Sequence, residues 1–315
     1  MTTTRRNFLS SVAAATVLPV TSSADAGTSA TKATAGPFTY CLNASTIREQ
    51  TQDIRTQVRI AADAGYDGIE PWMRHLTQYV EAGGSLSDLR KMISDAGLTV
   101  ESAIGFAQWI ADDPERRKQG LEDAKRDMDI LAQIGGLRIA APPTGATKGP
   151  KLDLFVVAER YRALLEIGDE TGVVPQLEVW GHSVNLSRLG ESVMACVEAS
   201  HPKACLLPDV YHIFKGGSGF GGLALLDDAA IHAFHMNDYP DSPSRAEMND
   251  SHRVYPGDGI APLTEILNMI GGNGRSVALS LELFNRDYWK QDALKVAKTG
   301  MAKMKAAVAA AGYSV

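Results

Sequence analysis

The chain has 315 residues, of which 44% are hydrophobic and 22% charged, and a net charge of −6. That length suits one large domain or two ordinary ones, with apolar material for a substantial core. An acidic chain with no basic run beyond its N-terminus argues against a nucleic-acid partner, which would favour a cationic stripe.

The sequence opens with Thr4-Arg5-Arg6-Asn7-Phe8-Leu9, then a weakly apolar run over 12–20, then the small residues Ala24-Asp25-Ala26. In that order they resemble a twin-arginine export signal with its cleavage site. Residues 1–26 are therefore expected to be a signal peptide and 27–36 a flexible lead-in, with a periplasmic mature protein. The apolar run is too short to span a bilayer. Cys41, Cys196 and Cys205 form no C-x-x-C pair. Cys196 and Cys205 could bridge in an oxidising compartment, but buried thiols are the plainer reading.

From Pro37 onward apolar runs alternate with longer helical patterns. Strands are expected at 38–43, 66–72, 98–106, 137–143, 173–179, 205–210, 231–237 and 276–283. Helices are expected up to 64 and over 85–96, 113–134, 153–171, 186–200, 223–229, 261–271 and 287–311. Asp113-Pro114 reads as an N-cap and first turn. The joints Ala64-Gly65, Ala96-Gly97, Gly135-Gly136, Thr171-Gly172 and Gly271-Gly272 are helix stops, since glycine takes the left-handed backbone that ends a helix. Eight alternating units predict an α/β fold, a single (β/α)8 TIM barrel over 37–315, with parallel pairing throughout. Gly216-Gly217-Ser218-Gly219 does not match a phosphate loop and reads as a flexible lid.

In such a barrel the active site lies at the carboxyl ends of the strands. Asn43, Glu70, Glu178, Asp209, His235 and Glu282 each end or interrupt an apolar strand. Any one alone would read as a structural charge. Together, Glu178, Asp209, His235 and Glu282 end four consecutive strands and offer three carboxylates and one imidazole. That set suits one hard divalent ion, Mn2+ first, with Mg2+, Co2+ or Zn2+ as alternatives. His182, four residues after Glu178, reads equally as a site residue or a loop residue. Glu70 and Asn43 could bind substrate hydroxyls or close the barrel mouth by hydrogen bonds. Trp72, Trp109 and Phe106 could wall a sugar face, though aromatics near strand ends are more often core. His75, His201, His232 and His252 read as structural or exposed.

The motifs Gly65-Tyr66-Asp67-Gly68-Ile69-Glu70, Leu177-Glu178, Asp209-Val210-Tyr211-His212, His235-Met236-Asn237-Asp238, Arg253-Val254-Tyr255-Pro256-Gly257-Asp258-Gly259 and Leu281-Glu282 carry a resemblance. The chain from Pro37 on resembles the sugar phosphate isomerase/epimerase superfamily, the xylose-isomerase-like barrels. The resemblance implies that Glu178, Asp209, His235 and Glu282 hold one metal, and that His212 and Arg253 touch substrate oxygens. The segment between His235 and Arg253 is longer than that pattern, which leaves substrate identity open.

A divalent ion that chelates two oxygens of a hydroxy-ketone acidifies the adjacent C–H. Glu178 and Glu282 are then the expected acid/base pair, one removing a proton to give a cis-enediolate and the other returning it. The expected enzyme is a metal-dependent sugar isomerase or epimerase acting on a keto-sugar or related polyol. The alternative is a lyase or dehydratase on an oxidised sugar, glycoside or inosose at the same site. An endonuclease-like phosphodiesterase would need further metal ligands and a basic face. The expected partner is a small carbohydrate, with no nucleic acid and no membrane span, and a homo-oligomer left open.

Overall fold

Segments rich in Ile, Leu, Val and Ala become strands, and the amphipathic segments between them become helices. The computed structural model describes residues 36–272 and 276–315. The expected signal peptide and nearly all of the lead-in lie outside the described residues. The order is β1 (Phe38–Asn43), α1 (Ile54–Asp63), β2 (Gly68–Glu70), α2 (Met73–Glu81), α3 (Leu86–Asp95), β3 (Thr99–Val100), α4 (Pro114–Gln133), β4 (Arg138–Ala141) and α5 (Leu154–Thr171). There follow β5 (Val174–Glu178), α6 (Leu189–Ala199), β6 (Leu206–Leu207), α7 (Val210–Lys215), β7 (Ala233–Met236), α8 (Leu263–Gly271), β8 (Val277–Leu281) and α9 (Ala293–Ala310).

All named pairings are parallel, in the orders β3-β2-β1-β8-β7 and β4-β5-β6. A few backbone hydrogen bonds join the two arcs at each junction. Ala103 N donates to Arg138 O at 3.1 Å and Ala140 N to Ala103 O at 2.8 Å, linking the end of β3 to β4. Leu206 N donates to Ala230 O at 2.8 Å and His235 N to Pro208 O at 2.9 Å, linking β6 to β7. The ring is thereby closed, the (β/α)8 barrel that the alternation predicts. Strands covered on both faces carry nearly continuous apolar runs; all five residues of β8 are buried.

Local chemistry sets the helix ends. Asp113 accepts from Arg116 N at 2.8 Å with Pro114 in the first turn, so α4 begins where the sequence predicts. Asp292 caps α9 by accepting from Lys295 N at 2.8 Å, which delays that helix beyond the expected start at 287. Gly172 takes φ 78° after α5, whereas Gly272, expected to do the same, is extended at φ −69°. The expected helix at 223–229 is a 3-10 turn over Phe220–Leu225, and α2 and α7 are helices the sequence reading left out. Among the described residues no helix is long and apolar enough to cross a membrane. All three cysteines are free thiols.

His75 on α2 is buried, with Nδ1 3.1 Å from the Gln57 amide nitrogen, so Nδ1 accepts and the ring is neutral. Burial, helped by Arg74 and Arg48, pushes its pKa down to about 4. The folded state thus binds this proton less readily than the unfolded chain. The stability it contributes is present above pH 6.5 and is lost as pH falls through about 4. At about 1.4 kcal/mol per unit, reduced for solvent screening, the loss is about 2 kcal/mol. Urea unfolding of the protein and His75→Gln at pH 7 and pH 4 checks this: the variant should lose less. Parallel losses would exclude His75 as the group responsible.

Candidate metal centre and its cavity

Strand register brings the polar strand ends to one level. Asn43 lies beside Glu70 across β1 and β2, and Leu42 beside Leu281 across β1 and β8. Glu178 lies beside Leu207, and Asp209 forms a parallel bridge with His235. Asn43, Glu70, Glu178, Asp209, His235 and Glu282 therefore share the carboxyl end of the barrel, all buried.

His235 is held from behind. Its Nε2 lies 3.1 Å from Glu70 Oε2, which also accepts from Ser280 Oγ at 2.6 Å and Asn43 Nδ2 at 2.8 Å. Glu70 is thus an orienting carboxylate that leaves Nδ1 as the free ring nitrogen. Nδ1 faces Glu282 Oε2 at 3.3 Å, and Glu178 Oε1 and Asp209 Oδ2 at 3.7 Å each. Ligand atoms of Glu178, His235 and Glu282 all lie within 4.8 Å of one another. His235 Nδ1 and Glu178 Oε2 are buried with no hydrogen-bond partner among the described residues. A buried lone pair without a donor is costly, and a cation satisfies it. These residues therefore fit a divalent metal ion, and the triad is a divalent-metal-binding site.

Asp209 is shared more widely. As N-cap of α7 its Oδ1 accepts from His212 N at 2.7 Å, while Oδ2 accepts from Asn237 Nδ2 and Arg253 Nη1 at 3.0 Å each. Burial raises the Glu178 carboxyl to about 8, opposed by His235 and reinforced by Glu282. Burial likewise raises Asp209 to about 6, opposed by Arg253. At Glu282 burial pushes up, but His235 and Arg253 outweigh it and hold the carboxyl well below its usual range.

Arg253 is among the largest fully buried side chains. Nη1 donates to Glu282 Oε2 at 2.6 Å, and Nη2 to Asp250 Oδ1 at 2.5 Å and His212 Nε2 at 2.9 Å. The guanidinium stacks 4.7 Å from the Tyr211 ring centre and 5.0 Å from that of Phe284. The glycine-rich turn after it explains its motif. The Asp238 carboxylate accepts from the backbone N–H of Tyr239, Gly257, Gly259 and Ala261 at 2.8–3.1 Å. A Cβ at Gly259 would overlap Asp238 and the Tyr239 carbonyl. On the other side Lys215 Nζ donates to the carbonyls of Arg245, Ala246 and Met248 at 2.8, 2.9 and 2.5 Å, clamping the long segment before Arg253. In the glycine stretch at 216–219 the first residue is closely packed, since a Cβ on Gly216 would overlap the Ser187 carbonyl.

A cavity of about 400 Å³ opens onto Glu178 and Glu282 of the triad. Glu178, Glu282, His182, His212 and Arg253 line it, with Asn249, Asp250 and Ser251 from the long segment. Trp72 and Phe106 line it too, while Trp109 is a core residue whose Nε1 donates to Pro142 O at 2.8 Å. Asn43 and Glu70 lie beneath His235 and are not among its lining residues. Their polar atoms engage one another and Glu282, with Asn43 Nδ2 donating to Glu282 Oε1 at 3.3 Å. Sequence reasoning missed Asp250, Asn237, Trp180, Phe284, Trp289 and Arg48. Only Asn237 and Asp250 carried a signal, as polar residues beside His235 and Arg253.

This closed barrel, with the Glu178, His235 and Glu282 centre at its carboxyl end, is similar to the xylose isomerase-like TIM barrels. Residues 58–307 match that family, and the chain belongs to it. The inosose isomerase of Halalkalibacterium halodurans is 31% identical over 139 residues, 43% of this chain and about half (49%) of that relative. The 3-dehydro-D-guloside 4-epimerase of Escherichia coli K12 is 26% identical over 225 residues, 66% of this chain and 78% of that one. The crystal structure of the IOLI protein with a bound zinc atom matches with a TM-score of 0.79 at 22% identity, over 86% of this chain and 98% of that one. That last likeness speaks to the fold alone.

Proposed function

We propose that the protein is a divalent-metal-dependent isomerase or epimerase of a keto-sugar or related polyol. The observation that carries this is the convergence of the unpaired His235 Nδ1 and Glu178 Oε2 with Glu282 beside a cavity sized for a small molecule. Glu178, His235, Glu282 and Asp209 would hold the ion, Mn2+ by the hardness of three carboxylates and one imidazole. The ion would supply Lewis acidity toward a substrate carbonyl. Glu178 and Glu282 would flank the reacting carbon, one removing its proton and the other returning one through an enediolate of the substrate. Arg253 and His212, bonded to each other, would face the developing oxyanion. The relatives' activities on inososes and 3-dehydro-guloside support a carbonyl-bearing polyol.

The test is exchange of substrate C–H for solvent deuterium across a keto-sugar panel with added Mn2+. Exchange should occur with one or more ketoses, disappear with EDTA and return with metal. Loss of water from the exchanging substrate would assign a lyase instead. No exchange with any ketose would sink the enediolate chemistry.

A further inference from the structure

Arg48 stands out among the groups lining the cavity that this chemistry does not use. It follows the 3-10 turn Ala44–Ile47 and is the first cavity residue in the chain. Its guanidinium carbon lies 5.0 Å from the ring centre of Trp72, 5.0 Å from that of Phe284 and 4.7 Å from that of Trp289. Rings packed on a guanidinium cover its faces and leave the N–H edge as the outlet for hydrogen bonding. That edge is unanswered. Among the described residues nothing accepts from Nη1 or Nη2, and Nε is buried without a hydrogen-bond partner. Its one ion-pair contact, Glu49 Oε1 at 3.4 Å from Nε, belongs to a side chain half exposed to solvent. Such a contact contributes little.

Charge in the cavity points the same way. Asp250 and Glu282 are answered by Arg253, and Glu178 and Glu282 belong to the metal site. Arg48 and Arg286 then remain as cations lining the cavity without a carboxylate of their own there. Packing alone would not call for a charge, since an uncharged side chain would fill the cage without a desolvation cost. A planar fork of donors held still by three rings is instead matched to an anion with two or more oxygens.

We propose that Arg48 receives an oxyanion carried by the substrate, a carboxylate or a phosphate, so that the cavity reads an acidic sugar rather than a neutral one. This rests on the isomerase or epimerase reading of the same cavity, and it names the substrate class. D-fructose, D-fructuronate and D-fructose 6-phosphate differ only at C6 and are the probes. Calorimetric titration of each into the Mn2+-loaded protein should show one of the two anions bound at least about tenfold more tightly than D-fructose, as one charge-assisted pair provides. Which anion is preferred identifies the oxyanion. In Arg48→Gln that ratio should fall to about one, and in Arg48→Lys, which keeps the charge but loses the fork, part of it should return. Equal affinities in the parent protein overturn the assignment, as does undetectable binding of both anions or a preference that survives in Arg48→Gln. Deuterium exchange in the parent protein separates the two readings. Exchange with equal affinities fells the anion assignment alone, whereas an Arg48-dependent preference without exchange in any ketose fells the catalytic reading alone.

Discussion

Glu282→Gln should lower turnover by roughly a thousandfold, the scale of a lost general acid or base. The side chain is nearly isosteric, so the strand end keeps its shape. The charge is gone, however, and with it the group that faces His235 Nδ1 at 3.3 Å and accepts from Arg253 at 2.6 Å. Metal affinity should fall as well, since one of three clustered ligand groups is neutralised. Turnover is therefore measured at saturating Mn2+, beside calorimetric binding of metal and sugar. The partner variant Glu178→Gln gives the sharper outcome. If the two carboxylates serve opposite faces, each variant should still exchange the C–H of one epimer while failing to interconvert the pair. Full turnover in either variant would remove that residue from proton transfer.

Arg253→Met should cost about 3–5 kcal/mol of stability, the penalty for removing one partner from a buried ion network. Arg253 is bonded at once to Asp209, Glu282 and Asp250, and stacks on Tyr211 and Phe284. Without it the buried carboxylates of Asp209 and Glu282 face each other with no cation between them. The melting temperature without metal should drop by several degrees or more for a domain of this size. Added Mn2+ should restore part of the loss, because an ion bound only by the folded state stabilises it by mass action and also neutralises Glu282 of the triad. A melting temperature equal to the parent's without metal would show that the network contributes nothing. A drop that metal leaves untouched would separate Arg253 from the metal centre.

Much of the barrel was legible because its strands are short apolar runs ending in single polar residues. Glu178, Asp209, His235 and Glu282 could each be placed from where hydrophobicity stops. Elements with weak local signals were harder. α2 starts at Met73 with no side-chain cap on Trp72, so the sequence reads as strand up to that point. α7 is capped by Asp209, a residue whose other oxygen serves the site, and the run into Val210 looked like more strand. β3 keeps only Thr99–Val100 in its ladder because polar Glu101 and Ser102 follow. Glu70 was visible as a strand-end carboxylate. Its service to His235 depends on β2 and β7 meeting across the barrel, which no local pattern encodes. Arg48 was invisible for the same reason: its cage is assembled from Trp72, Phe284 and Trp289, more than 200 residues apart in sequence between the first and the last.

The clamp on the segment before Arg253 has a consequence for how the protein can vary. Lys215 grips the carbonyls of Arg245, Ala246 and Met248, groups that every amino acid carries. The path of that segment is therefore held at three main-chain carbonyls by one distant ammonium, beside the buried Met248 side chain and the Asn249 cap. The exposed side chains of Arg245 and Ala246 are free to change while the path persists. Ser251, which follows and lines the cavity, can be exchanged on this mount, while Asp250 stays tied to Arg253 and Asn249 caps the turn. A barrel with this arrangement can adopt a new sugar by altering a few letters, without refashioning the loop that displays them.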